Sequence, residues 1–381
     1  MDKDNQVALC PSQDELSRQA FIVRFKQKVN LDLQGKIRSH FCDKIQPALE
    51  ADLGVSLSDV DRKHRVAVKE RMSSEHIFHV WESLTWIGQT MMWDAVDEMI
   101  QHELPRIESI SKSVMENKEP LGSLILRPEL HVPPNVSKIE IHRQPGGFCF
   151  ERDGHPFDYI AGARMTGGGM VYGAGKGRTA RPGYSAAQFL IEEIEKEFGE
   201  RKPKRILDIG CGTGSNTQVY AEYYPDAHVV GIDVAPGLLR WGHMRCEQKS
   251  IPVHFEQMNS ADLHFDDQSF DLVVSNIWGH ETTPSILSES ISEIWRVLRP
   301  GGISCHMDVP NQPGYTGLVD QFLNDWQIKY NGEAFWMGWA DTDLFQVMTK
   351  AGYPEDCQFA EYRQRTEGVG HWFVHGAIKP S

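Results

Sequence analysis

Apolar residues recur at helical spacing through the first third of the chain. "DELSRQAFIVRFKQKVNLDL" and "IRSHFCDKIQPALEADL" each set an apolar stripe on one helical face. The longest candidate, "SSEHIFHVWESLTWIGQTMMWDAVDEMIQHEL", opens behind Ser73 or Ser74 as a cap and is predicted to stop before Pro105. Its Trp81, Trp86, Met91, Met92 and Trp93 suit a core or a subunit contact as well as a ligand. Residues 1–122 therefore read as a helical accessory region. The period then changes. "SKIEIHRQPGGFCFERDG" places two β-prone runs around "QPGG" and predicts a hairpin. "GARMTGGGMVYGAGKGRTARPGY" predicts a glycine-rich loop, either a plain linker or a flap that closes over a bound molecule; together these two segments define 123–182. From 183 to 381, the short apolar runs "RILDIG", "HVVGID", "VHFEQM", "FDLVVSN" and "GGISCHMDV" alternate with amphipathic helices such as "SAAQFLIEEIEKEF" and "ILSESISEIWRVL". That alternation predicts an α/β, doubly wound, Rossmann-like parallel sheet.

Composition narrows the function classes. The 381 residues are 40% hydrophobic and 24% charged, which suits a globular chain with a real core. A net charge of −14 argues against a nucleic-acid partner, which needs a phosphate-neutralising surface; "RKPKR" at 201–205 reads as a solvated strand cap. The seven cysteines form no CxxC pair, so neither a disulfide framework nor structural zinc is expected, and a reducing, cytoplasmic setting is. The acidic start "MDKDNQVALCPSQDE" does not read as a secretion signal, and no run is long and apolar enough to cross a bilayer.

In a parallel α/β sheet the ligand lies at the carboxyl ends of the strands, so each strand exit is informative. The first ends at Asp208 and runs into "GCGTG", where Gly210, Cys211, Gly212 and Gly214 form a turn of free amides. The second ends at Asp233, about twenty residues on, where a carboxylate can grip both hydroxyls of a ribose. The glycines are spaced G-x-G-x-G and not G-x-G-x-x-G, and Asp208 would repel a pyrophosphate but suit an ammonium group. The segment at 167–177 is no P-loop, because Gly177 follows Lys176 where a hydroxyl should stand. A ligand with an ammonium, a carboxylate and a ribose fits, and S-adenosylmethionine is one.

"ILDIGCGTGSN", "GIDVAPGLL", "NSADLHFDDQSFDLVVSN" and "WRVLRPGG" resemble, in this order and spacing, the successive motifs of class I S-adenosylmethionine-dependent methyltransferases. The closest flavour is the small-molecule group of the ubiquinone and menaquinone biosynthesis type, and the resemblance covers about 180 to 381. It implies that Asp208, Gly210, Cys211, Gly212 and Gly214 line the methionine half of the cofactor and that Asp233 holds the ribose. Val234 and Leu239 then adjoin the adenine, and Asn259, with Ser260 beside it, reads the adenine amino group. The resemblance further places Ser275 and Asn276 beside the cofactor. It also implies that "EGVGHWFVHGAIKP" is the closing antiparallel strand.

The acceptor side is read from the residues beyond the fourth and fifth strands. His280 and Glu281 are the candidate catalytic residues, His280 as a general base or as a shaper of the pocket. Tyr172, Trp278, His306, Trp336 and Trp339 are candidate substrate contacts. His306 and Asp308 lack a third ligand at a telling spacing, so no metal is expected. The expected activity is methyl transfer to a small-molecule acceptor, with the helical region completing the pocket and pairing subunits. A sensor that binds S-adenosylmethionine without methylating would share the same cofactor motifs.

Overall fold

The computed structural model describes residues 8–57, 62–116, 119–152, 155, 158–175, 185–310, 317–364 and 371–381; the side chains of 62, 63, 134, 135 and 172–175 are not described. Eight strands form one sheet in the order β1-β4-β3-β2-β5-β6-β8-β7. They are β1 (Ser123–Ile125), β2 (Arg205–Ile209), β3 (His228–Asp233), β4 (His254–Gln257), β5 (Phe270–Asn276), β6 (Leu298–Asp308), β7 (Gln358–Gln364) and β8 (His371–Ile378). The first six pair in parallel, and β8 runs antiparallel between β6 and β7. The expected doubly wound sheet with a closing antiparallel strand is thus present.

Alternation along β2 shows why helices cover both faces. Ile206 joins Val229, Leu272 and Val274 in a core shared with the helix Ala186–Phe198. Its neighbours Leu207 and Ile209 join Val230, Ile232 and Val273 against Ile294 and Val297 of the helix Pro284–Val297. Strand order reverses at β2, which pairs with β3 on one side and β5 on the other. This switch point opens a crevice at the carboxyl edge.

The N-terminal region is helical, as its periodicity predicts. Residues 13–53 run as one helical stretch broken only by two π-type turns, Lys28–Leu33 and Phe41–Ile45. The long helix does not stop before Pro105 but continues over His76–Glu116. Pro105 removes one backbone donor, while Ile100 and Ile107 on either side are both buried in one cluster with Trp93, Met99 and Trp241. Packing outweighs the break.

Two expectations for 123–182 are overturned. No hairpin forms in 138–152. His142, Arg143, Gly146 and Gly147 take positive φ, and Ile141 is buried and Phe148 half-buried instead of pairing in a ladder. The glycine-rich segment is not a loop as far as Gly175, because Ile160–Gly175 is a helix; its expected continuation through Lys176 and Gly177 lies outside the described residues. Its Gly162, Gly167 and Gly168 are contact points. A Cβ on Gly162 would lie 2.2 Å from Trp241 Cβ, and on Gly168 2.9 Å from the ring of Trp93. Absent side chains let this helix press against His76–Glu116 and Pro236–Lys249, which offsets the poor helix propensity of glycine.

Candidate functional site

The turn after β2 holds Gly210, Gly212 and Gly214 at φ of 63°, 54° and 66°, a region that L side chains rarely adopt. Gly210 has a second constraint, since a Cβ there would meet Trp278 Cδ1 at 2.1 Å. Gly214 leaves space for Phe255, whose ring would lie 2.5 Å from an added Cβ. The turn borders a cavity of about 470 Å³ lined by Asp208, Gly210, Cys211, Gly212 and Asn276 together with Met165, Thr166, Gly169, Met170, Arg245 and Ile277.

Of the carboxylates at this edge, Asp208 is fully buried and Asp233 half-buried. Asp208 accepts from Thr217 Oγ1 at 2.6 Å, and burial pushes its carboxyl up to about 7 against the hydrogen bonds from Thr217 and Asn276. Asp233 accepts from the amide of Gly212 through Oδ2 and from that of Ala235 through Oδ1, each at 2.9 Å. Burial raises its carboxyl too, against those backbone donors. A desolvated carboxylate in a cavity wall attracts a cation, and here the amides beside it orient the turn.

The other predicted cofactor residues divide between this edge and the core. Asn276 Nδ2 donates to the hydroxyl of Tyr220 at 3.0 Å. The carbonyl of Val234 accepts from Gln257 Nε2, Asn259 Oδ1 from the amide of Ala261, and the hydroxyls of Ser260 and Ser290 pair. Leu239 is fully buried in the core behind the sheet, away from the cavity wall. Ser275 bonds His306 Nδ1 at 2.9 Å beneath the edge.

Among the predicted acceptor contacts, Trp278 adjoins the glycine turn, and Trp336 meets the ring of His280 edge-on at 5.6 Å. Two others are core residues. Trp339 is buried against Phe373 and His375 and donates to the carbonyl of Val309. His306 is buried beside His375, and burial pulls it down to about 3, so it stays neutral. His306 was expected to face substrate because it leaves β6, and Trp339 as part of an aromatic lid further on, but both side chains are packed in the core. The side chain of Tyr172 lies outside the described residues.

His280 and Glu281 stand in a buried cluster. His280 Nδ1 lies 2.6 Å from Asp308 Oδ1, and its Nε2 lies 3.4 Å from Glu281 Oε1. Burial opposes charge on this ring, but Asp308 and Glu281 outweigh it and hold the imidazole well above its ordinary range. Glu281 in turn faces His142 Nε2 at 2.9 Å, and His142 Nδ1 lies 2.9 Å from Glu333 Oε1. Burial lowers His142 as well, yet Glu333 and Glu281 raise it to about 10, and both histidines hold Glu281 below the usual carboxylate range despite its own burial.

Sequence reasoning missed His142, Glu333, Met165 and Met170. The two methionines sit in the segment read as a loop, and the helical period of "YIAGARMTGGGMV" was the available signal. No spacing signal joins His142 and Glu333 to Glu281, since chain folding alone brings them together.

The family described as "Methyltransferase domain" matches residues 206–302, which hold β2 to β5 and the start of β6. The chain is 34% identical over 193 residues to demethylmenaquinone methyltransferase of Clavibacter sepedonicus, covering 47% of this chain and 74% of that protein. It is 36% identical over 121 residues to demethylmenaquinone methyltransferase of Thermus thermophilus, covering 32% of this chain and 54% of the other. Phosphoethanolamine N-methyltransferase 1 of Arabidopsis thaliana is 33% identical over 130 residues, 32% of this chain and 26% of the other. The chain spans about half the length of several curated relatives it matches. With the ordered motifs, the sheet and the glycine turn, these matches show that the chain belongs to the class I S-adenosylmethionine-dependent methyltransferase family.

Proposed function

We propose that this chain transfers the methyl group of S-adenosylmethionine to a nucleophilic O, N, S or C atom of a small-molecule acceptor in specialised metabolism. The observation that carries the reading is the cavity at the strand-order switch, bordered by left-handed glycines and a buried carboxylate. These residues fit the cofactor. Asp208 offers a desolvated anion to its ammonium group, Gly210 and Gly212 leave backbone where a Cβ would intrude, and Met165 and Met170 supply an apolar wall. Asp233 takes the ribose with the lone pairs its two backbone donors leave over. When bound, S-adenosylmethionine supplies an electrophilic methyl group on a sulfonium.

This chain's own residues then bind, orient and exclude water. Trp278 and Trp336 form the acceptor side, and His280, held through Nδ1 by Asp308, positions the strand exit. Holding two reactants at attack distance contributes up to about 7–11 kcal/mol, enough to carry such a transfer without a base. We place the reaction in the cytoplasm, a reading supported by the seven free cysteines; among the described residues no helix is long and apolar enough to cross a membrane. Exposed Phe21 and Leu31 in the helical region support a homodimer contact, which sedimentation would check.

Calorimetric titration with S-adenosylhomocysteine tests the proposal. We expect one ligand per chain and an affinity loss of roughly tenfold or more in Asp233→Asn, one charge-assisted contact. Label moving from methyl-labelled S-adenosylmethionine into a metabolite extract would confirm transfer. Absence of binding heat would reject the site, and binding without transferred label would favour a sensor.

A further inference from the structure

We infer that His142, Glu281 and Glu333 form a binding site for one divalent transition-metal cation, with His280 at its rim braced by Asp308. One ligand atom from each of the three residues can be chosen so that all lie within 4.8 Å of one another. They come from three separate segments: the turn Ile141–Arg143, the turn Gly279–Glu281 after β5, and the stretch just beyond the helix Leu318–Tyr330. Imidazole nitrogen with carboxylate oxygen is a donor set that suits zinc, manganese or ferrous iron, and three protein ligands leave an open coordination position.

Unspent acceptors at the site point the same way. The Glu333 side chain is only 6% exposed, and its Oε1 is already engaged by Asn331 Nδ2 and His142. Its Oε2 is buried without any hydrogen-bond partner, and so is Oε2 of Glu281. Leaving one buried acceptor unmade costs about 1–3 kcal/mol, more for a charged group, so two in one cluster call for a ligand. Charge agrees. Three carboxylates, Glu281, Asp308 and Glu333, face two imidazoles, His142 and His280, so the cluster stays negative even with both rings protonated. A dication taking the place of the His142 proton brings the sum to zero. An outer layer around one ligand is in place too: His280, held through Nδ1 by Asp308, brings its Nε2 to 3.4 Å from Glu281 Oε1.

The test uses the full chain, stripped with a chelator and titrated with Zn²⁺ or Mn²⁺ alone. We expect one ion per chain by calorimetry and by elemental analysis after gel filtration. Glu333→Gln, which keeps the shape and the acceptor oxygen for Asn331, should weaken binding by roughly tenfold or more. X-ray absorption of the loaded protein should show nitrogen and oxygen neighbours only. Sulfur in the first shell would place the ion on a cysteine and overturn the assignment, as would substoichiometric binding or an unchanged affinity in Glu333→Gln. If that variant does not fold, the stoichiometry and first shell of the parent chain still decide. Because none of these readouts involves S-adenosylmethionine, failure here leaves the methyl-transfer reading untouched, and the reverse holds.

Discussion

Two glycine-rich segments of this chain look alike in one-letter code and serve opposite ends. In "GCGTG" the glycines are needed for backbone angle: all three sit at positive φ, and the turn they make borders the ligand cavity. In Ile160–Gly175, Gly162 and Gly168 lie within an ordinary helix and are needed for absent volume, so that indole rings can lie against the backbone. The difference teaches that glycine density marks either a turn or a close approach, and that only the apolar period around it tells them apart.

Substitution by alanine breaks or sharpens this contrast. Gly210→Ala meets both penalties, left-handed backbone and the Trp278 ring at 2.1 Å; denaturant titration should show a loss of about 3 kcal/mol or more. Gly162→Ala meets volume alone, with Trp241 Cβ 2.2 Å away, and should cost about 1–3 kcal/mol in the same assay. A third close approach, Gly88 against Phe25 and Lys26, helps to bury the Lys26 amine, which desolvation lowers to about 7. Above that value the folded chain has lost a proton that the unfolded chain keeps up to about pH 10.4, so stability should rise with pH across this window by up to about 1.4 kcal/mol per unit. Lys26→Met should flatten the rise, as thermal melts at several pH values would show. The smallest effect tests the other direction: Gly169 is helical with nothing within 4 Å, so Gly169→Ala should stabilise by about 0.5–1 kcal/mol. A loss there would show that the segment is less helical than its packing implies.

The same contrast explains what could be read without coordinates. Strands β2 to β6 were legible because each is a short apolar run closed by polar or glycine residues, and the motifs at their exits are local in sequence. Asp208, the glycine turn and Asn276 were legible for that reason, and all reach the cavity. Strand β1 was not, since three residues carry no period and its partner β4 lies about 130 residues away. The supposed hairpin had the right composition, but its Phe148 and Cys149 are spent on packing against Ala161, Ala235 and Leu238. Pro105 misled because propensity is local while the cluster around Ile100 and Ile107 is tertiary. His306 misled because position along a strand does not say which way a side chain turns at its end, and Trp339, in the helix Trp336–Ala340, because an aromatic run serves a core as readily as a lid. The His142–Glu281–Glu333 group lay beyond reach, since its members are far apart along the chain and share no motif.

The three-residue strand β1 has a consequence for how the protein could be divided. Gly122, just before it, lies so near the Val253 carbonyl that a Cβ would stand 2.0 Å from that oxygen, and Glu247 holds the amides of Leu121 and Gly122. The strand seals the outer rim of β4, whose backbone would otherwise be open to a strand from another molecule. Cutting the chain between the helix Ile160–Gly175 and β2 would unseal that rim and strip Trp241 of its cover, so the catalytic half released alone is a species built to self-associate.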